Sequence, residues 1–186
     1  MGLFITNVSG AVYSGYNAGR QLYRELMAAK KEVKVISPFI TAGYAKRLLT
    51  LHEKGICVQL LTNGTSKDFV TGIRNVELAG VLVRQLKSKD GYSYERPFPY
   101  KMCDPKYHFI HSKWYIIDEA IAFIGSMNMT CSGFSNNYET RLRITEAATI
   151  VLLRKEFDAL FNDQKIQEKS LEEWGKEIYQ RADCVG

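Results

Sequence analysis

Residues 111–128 read HSKWYIIDEAIAFIGSMN, and the alternation within them decides how the chain is to be folded. A β-strand sends every second side chain to the same face. On that rule His111 and Lys113 share one face of a strand, with Tyr115 and Ile117 following. Asp118, Glu119 and Ala120 form a turn, and Ile121 to Asn128 return as a second strand on which Ser126 and Asn128 share a face. An ordinary buried strand has little use for such groups. Held together by two adjacent strands, an imidazole, an ammonium, a hydroxyl and an amide surround one small volume suited to an anion.

Outward from this stretch, strands and helices alternate. Asn17 is placed to cap a helix through AGRQLYRELMAAKK (18–31), where Leu22, Leu26 and Ala29 recur at helical spacing. VKVIS (33–37) is a short β-branched strand closed by Pro38, and AGYAKRLLTLHEKG (42–55) a helix ending at the C′ glycine Gly55. ICVQLLT (56–62) is the next strand, SKDFVTGIRNVELA (66–79) a helix begun by Ser66, and VLVRQL (81–86) another strand. This βαβαβ rhythm is that of a sheet covered by helices. After the paired strands, YETRLRIT (138–145) reads as a strand, EAATIVLLRKEFDALFN (146–162) as an amphipathic helix, and QEKSLEEWGKEIYQRA (167–182) as a final helix docked by Leu171 and Trp174.

The rhythm breaks over residues 87–107, KSKDGYSYERPFPYKMCDPKY. Long irregular loops in compact domains are usually functional or mobile. This one interleaves Lys87, Lys89, Arg96, Lys101 and Lys106 with Tyr92, Tyr94, Phe98, Tyr100 and Tyr107. Bases stack on aromatic rings while cations follow phosphates, so the mixture suits nucleic acid. The alternative is a surface loop whose aromatics pack on the core or on a partner subunit.

Bulk properties narrow the function. The 186 residues make one domain with room for a hydrophobic core, and no repeat or linker divides them. A net charge of +5, from 25 basic and 20 acidic residues, favours the approach of a polyanion without proving it. Cys57, Cys103, Cys131 and Cys184 are too far apart for a structural zinc site. The opening MGLFITNVSG lacks the basic and apolar regions of a secretory signal, and no apolar run reaches the roughly 20 residues of a membrane helix. The expected compartment is the cytoplasm, with reduced cysteines and no membrane partner.

Written with its spacing, the site is His111-x-Lys113, four residues, Asp118, six residues, then Gly125-Ser126-x-Asn128. It resembles the HKD motif of the phospholipase D superfamily, H-x-K-x4-D-x6-G-S-x-N, and every specified position matches. The resemblance implies an α/β fold: a phospholipase D-like mixed β-sheet flanked by helices on both faces, with a single HKD motif in a domain spanning residues 1–186. The residues themselves suit phosphodiester chemistry. A neutral histidine can attack phosphorus and form a phosphohistidine, while a protonated one can supply the leaving oxygen's proton. Lys113, Ser126 and Asn128 would hold the non-bridging oxygens, and Gly125 would let the backbone approach the phosphate. No carboxylate cluster is required, so neither a metal nor another cofactor is implied.

Glu139, in NNYETRLR, stands where the superfamily's short nucleases carry a glutamate that bonds and orients the catalytic imidazole. The alternative for it is a surface charge paired with Arg141 or Arg143. Asp118 is assigned a structural role at the turn. His108 lies outside the motif, and His52-Glu53-Lys54 has the H-x-K spacing without the aspartate or the G-S-x-N.

The chemistry needs two histidines and one motif supplies one. Short family members resemble half of the two-motif enzymes and complete the site as homodimers, so a C2 dimer is expected to bring two copies of His111 to one phosphate. The resemblance is to the nuclease branch, which implies a metal-independent nuclease acting on DNA or RNA, its sequence specificity drawn from a partner or a larger protein. The alternatives are a phospholipase D-type hydrolase of anionic phospholipids, and a nucleic-acid-binding module or nuclease domain of a larger restriction or helicase-linked protein.

Overall fold

The computed structural model describes residues 3, 5–63, 73–104, 106–168 and 170–182. The first half runs β1 (Gly10–Gly15), α1 (Gly19–Met27), β2 (Glu32–Ile36), α2 (Ala42–Glu53), β3 (Cys57–Asn63) and α3 (Ile73–Leu82). A hairpin of β4 (Arg84–Ser88) and β5 (Gly91–Glu95) follows, then β6 (Tyr100–Cys103), β7 (Trp114–Ile117) and β8 (Ile121–Gly125). A π-helical turn (Ser132–Asn136), β9 (Glu139–Ile144), α4 (Ala147–Asn162) and α5 (Leu171–Ala182) complete the chain.

Seven strands form one mixed sheet in the order β1-β9-β8-β7-β2-β3-β6. β2, β3 and β6 are parallel, whereas β7, β8, β9 and β1 add antiparallel to one another on the other side of β2. Alternation sorts the core into two layers. Val33, Val35, Val58, Leu60, Tyr115 and Ile117 face α1, α2, α3 and α5. Ile36, Leu61, Ile116, Ala122 and Ile144 face Ile150, Leu153 and Phe157 of α4. Helices therefore cover both faces, the architecture expected from the sequence. Among the described residues no helix is long and apolar enough to cross a membrane.

The helix ends show where local signals held. Gly55, with φ +85°, follows α2 as expected; its N–H donates to His52 C=O at 2.9 Å and Ile56 N–H to Leu51 C=O at 3.1 Å. These are the two bonds of a Schellman ending. Asn17 is not the cap of α1. Its φ of +58° turns the chain out of β1, the N-cap falls on Ala18, and no side chain caps the helix. Ser66, expected to begin the third helix, lies outside the described residues.

Residues 81–107 differ most from expectation. Val81 and Leu82 end α3 instead of beginning a strand, and β4 pairs only with β5, in a separate two-stranded sheet. The further sheet strand expected there is supplied by β6, which pairs parallel to β3 inside the stretch read as irregular. Burial overrides the lack of period: Phe98, Tyr100, Met102 and Cys103 are all core residues.

Candidate active site

β7 begins at Trp114, so His111 and Lys113 precede the strand and do not sit on one face of it. The reason is pairing. β2 matches Ile36 to Trp114 and ends there, leaving residues 111–113 without a ladder on that side. Ser126 and Asn128 likewise lie beyond β8, which stops at Gly125. The motif's polar groups therefore occupy the chain segments at one end of β7 and β8.

Tertiary bonds hold these segments in place. Asn63, buried at the end of β3, clamps the residue before His111: its Nδ2 donates to Ile110 C=O at 2.7 Å and its Oδ1 accepts Ile110 N–H at 3.0 Å. Tyr115 Oη donates to Met127 C=O at 2.9 Å, and Ser37 Oγ accepts Met129 N–H at 2.8 Å, fixing the chain on either side of Asn128. Asn63, Ser37 and Tyr115 escaped the sequence reading. The signal was thin, since each is a lone polar side chain on an apolar strand or next to a proline.

Within this frame, Lys113 is buried and its Nζ donates to the His111 carbonyl at 2.6 Å. The same nitrogen stands 3.2 Å from each ring nitrogen of His111. The exposed Phe109 ring stacks on the imidazole, with centroids 5.8 Å apart and planes 22° from parallel. Burial holds the Lys113 ammonium below the ordinary lysine range, and the Glu139 carboxylate opposes that shift. Glu139 begins β9 and is buried. One of its oxygens accepts a short bond from Ser126 Oγ, and the other accepts Asn137 Nδ2 at 3.1 Å.

Neither reading of Glu139 matches this arrangement within one chain. Its carboxylate bonds Ser126 and not His111. Arg141 donates instead to Ala18 C=O at 2.6 Å and to Gln21, and Arg143 pairs with Glu25 at 3.0 Å. Asn128 keeps its amide oxygen buried and unbonded among the described residues.

Asp118 takes no part in the cluster. Its carboxylate accepts the backbone N–H groups of Lys30, Lys31 and Glu32 at 2.7–3.1 Å, tying the β7–β8 turn to the α1–β2 connection. Asp118 and Glu119 both have positive φ, 52° and 58°, the pair of left-handed residues a type I′ turn demands. Gly125 answers a packing need. A Cβ there would lie 2.1 Å from Thr140 O, so β9 fills the space a side chain would occupy. His108 is tethered by a 2.7 Å contact from its Nε2 to Lys165 C=O, and His52 ends α2.

The residues assigned to nucleic acid in the 87–107 stretch divide. Tyr100 and Lys101 are turned inward, Tyr100 Oη donating to Leu82 C=O and Lys101 Nζ to Asp163 C=O. Tyr94 packs on Tyr179 of α5, and Arg96 pairs with Glu168 at 2.9 Å. Tyr94 and Tyr100 thus pack inward as in the alternative reading of this stretch, Lys101 is bonded within the core, and Arg96 is exposed but paired. Lys87, Lys89 and Tyr92 stay exposed on the β4–β5 hairpin, which docks on α5, and Lys106 is exposed beside Tyr107.

Residues 22–161 match the family described as cardiolipin synthase, PLD-like domain. The chain belongs to the phospholipase D superfamily. Among curated proteins it is similar to the mitochondrial cardiolipin hydrolase of Xenopus laevis, 24% identical over 152 residues, which are 79% of this chain and 62% of that protein. The chain thus spans about three fifths of that relative's length. Among solved structures, Nuc, a phospholipase D family member from Salmonella typhimurium, superposes with a TM-score of 0.59 at 16% identity, over 87% of this chain and 99% of Nuc. NucT from Helicobacter pylori gives 0.53 at 22% identity, over 82% and 94%. At such identities the two structures establish the fold. Enzymes of the phospholipase D superfamily act on phosphodiester bonds.

Proposed function

We propose that this phospholipase D-superfamily chain is a metal-independent phosphodiesterase that cleaves nucleic acid, DNA or RNA, as a cytoplasmic C2 homodimer. The observation that carries the proposal is the gathering of His111, Lys113, Ser126, Asn128 and Glu139 at one end of β7, β8 and β9. In the first step a neutral His111 nitrogen bonds to phosphorus and the bond to the leaving oxygen breaks, its electron pair staying on oxygen. His111 of the second protomer gives that oxygen a proton, and then takes one from the water that displaces the imidazole. The phosphomonoester leaves and both histidines regain their starting states. The Lys113 ammonium offsets the charge of the non-bridging oxygens and the Asn128 amide N–H groups donate to them throughout. Glu139, occupied by Ser126 in its own protomer, is offered across the twofold axis to orient the imidazole of the other.

The full domain, residues 1–186, then forms half of a composite site, and sequence specificity comes from a partner or a larger assembly. The test is cleavage of single-stranded and duplex DNA in excess EDTA. Wild type is expected to cut, and His111→Ala to lose at least about 10⁴-fold in rate. Cleavage by wild type only after divalent metal is restored would overturn the metal-free mechanism.

A second reading has its own support: the similarity to a cardiolipin hydrolase and the exposed Tyr107 and Phe109 beside His111 favour an anionic phospholipid. Hydrolysis of cardiolipin vesicles, with no cleavage of either DNA, would select it.

A further inference from the structure

A cleft of about 180 Å³ lies on the α1–α2 side of the sheet, outside the HKD cluster. Its walls come from Gly19, Arg20 and Tyr23 on α1, Tyr44 and Arg47 on α2, and Phe134 and Ser135 on the π-helical turn. Arg20 and Tyr23, like Tyr44 and Arg47, are three residues apart and share a helical face. The rings make an aromatic corner: Tyr44 meets Phe134 with centroids 4.5 Å apart, and Tyr23 meets Tyr44 edge-on at 6.3 Å.

Two guanidinium groups serve this corner. Arg47 is preset, its Nε donating to Tyr23 Oη at 2.8 Å and one terminal nitrogen to Gly43 C=O at 2.9 Å, with its Cζ 5.2 Å from the Tyr23 ring centroid and 5.4 Å from that of Tyr44. Its other terminal N–H groups have no hydrogen-bond partner among the described residues. The Arg20 side chain has no hydrogen bond or ion pair among the described residues. No carboxylate lines the cleft, and burial pushes the Tyr44 phenol up to about 12, so it stays uncharged. Two like charges beside neutral rings form a socket for an anion that carries a flat group. The lining has no aliphatic side chain on which an acyl chain would lie.

The cleft also touches the catalytic segment. A Cβ on Gly133 would stand 2.4 Å from Asn128 O, so the π-helical turn packs directly on the motif asparagine. Asn137, just after that turn, bonds Glu139. A Cβ on Gly19 would meet Phe134 at 2.5 Å, which closes α1 onto the other side of the same turn.

We propose that this cleft is a nucleotide subsite, in which Arg20 and Arg47 hold a phosphate and Tyr23, with Tyr44 edge-on beside it, stacks a base of the strand whose neighbouring phosphate is cut. The proposal rests on the nuclease reading in one respect, that the strand held is the strand cleaved. Stacking and a basic track are how single strands are gripped without sequence preference.

The test measures binding of a labelled single strand of about 12 nucleotides to the full chain carrying His111→Ala, so that no turnover intervenes. Adding Arg20→Glu is expected to raise Kd about tenfold, and Arg20→Gln to reduce the slope of log K against log salt by about 0.7. Lys155→Glu makes the same charge change on α4, across the sheet, and is expected to leave Kd unchanged. Melting temperatures of the Arg20 variants should match the parent, since that side chain makes no bond among the described residues. An equal loss from Lys155→Glu and Arg20→Glu, or no loss from Arg20→Glu, would overturn the subsite. So would release from cardiolipin vesicles by Arg20→Glu with strand binding intact, which would assign the cleft to a membrane. Hydrolysis of bis(p-nitrophenyl) phosphate by the unmodified chain in EDTA tests the phosphodiesterase reading separately. Its absence alongside an Arg20 effect would remove the catalysis and keep the strand site.

Discussion

At Lys113 burial and function pull in opposite directions. In the proposed site the ammonium must be charged to hold a phosphate, yet its burial favours the neutral form, and the Glu139 carboxylate supplies the opposing charge. A base whose pKa is depressed loses its proton earlier as pH rises. The alkaline limb of kcat/KM is therefore expected below the usual lysine value of 10.5. Glu139→Gln removes the group that favours the ammonium, so the limb should move to still lower pH, whatever the change in maximal rate. A pH–rate profile of both proteins checks this, and a limb that stays in place or rises would dissociate Glu139 from Lys113. At this scale the sequence was most informative about residue identity and least about partners. The motif named His111, Lys113, Ser126 and Asn128, but Glu139's bond to Ser126 depends on β9 lying beside β8, which no local pattern encodes.

Between elements, the chain that carries His111 is placed by a residue 47 positions before Ile110, for Asn63 grips both polar atoms of the Ile110 backbone. Asn63→Ala would leave a half-buried N–H and C=O unpaired, a loss of about 1–3 kcal/mol in stability by chemical denaturation. A positioning role adds a second expectation: kcat should fall by as much as about 100-fold with KM little changed. A lower stability with unaltered kcat would make Asn63 a structural residue only. Element boundaries were legible where a local signal was decisive, as at Gly55, and failed where tertiary contact intervened. Asn17 has the chemistry of a cap but is used as a left-handed corner. VLVRQL has the composition of a strand, but Val81 and Leu82 are buried within α3, and β6 takes the sheet position beside β3.

For the whole molecule the decisive question is how many chains make one site. A composite site needing His111 from both protomers loses function when either is changed. Mixing wild type with His111→Ala under exchange should therefore lower activity as the square of the wild-type fraction, to about a quarter in an equal mixture. A linear fall to about one half would mean that each chain works alone, and light scattering on the same samples would report the mass. By itself, the sequence determined the superfamily, the α/β class and the residue types at the site, because motif spacing and apolar periodicity are properties of the chain taken in order. Only the tertiary structure decided that His111 and Lys113 meet outside the strand, that Tyr100 and Lys101 are core residues, and that Arg20 and Arg47 converge on one cleft. The physical reason is that burial, register and charge pairing depend on which segments pack together, and those segments lie tens of residues apart in the chain.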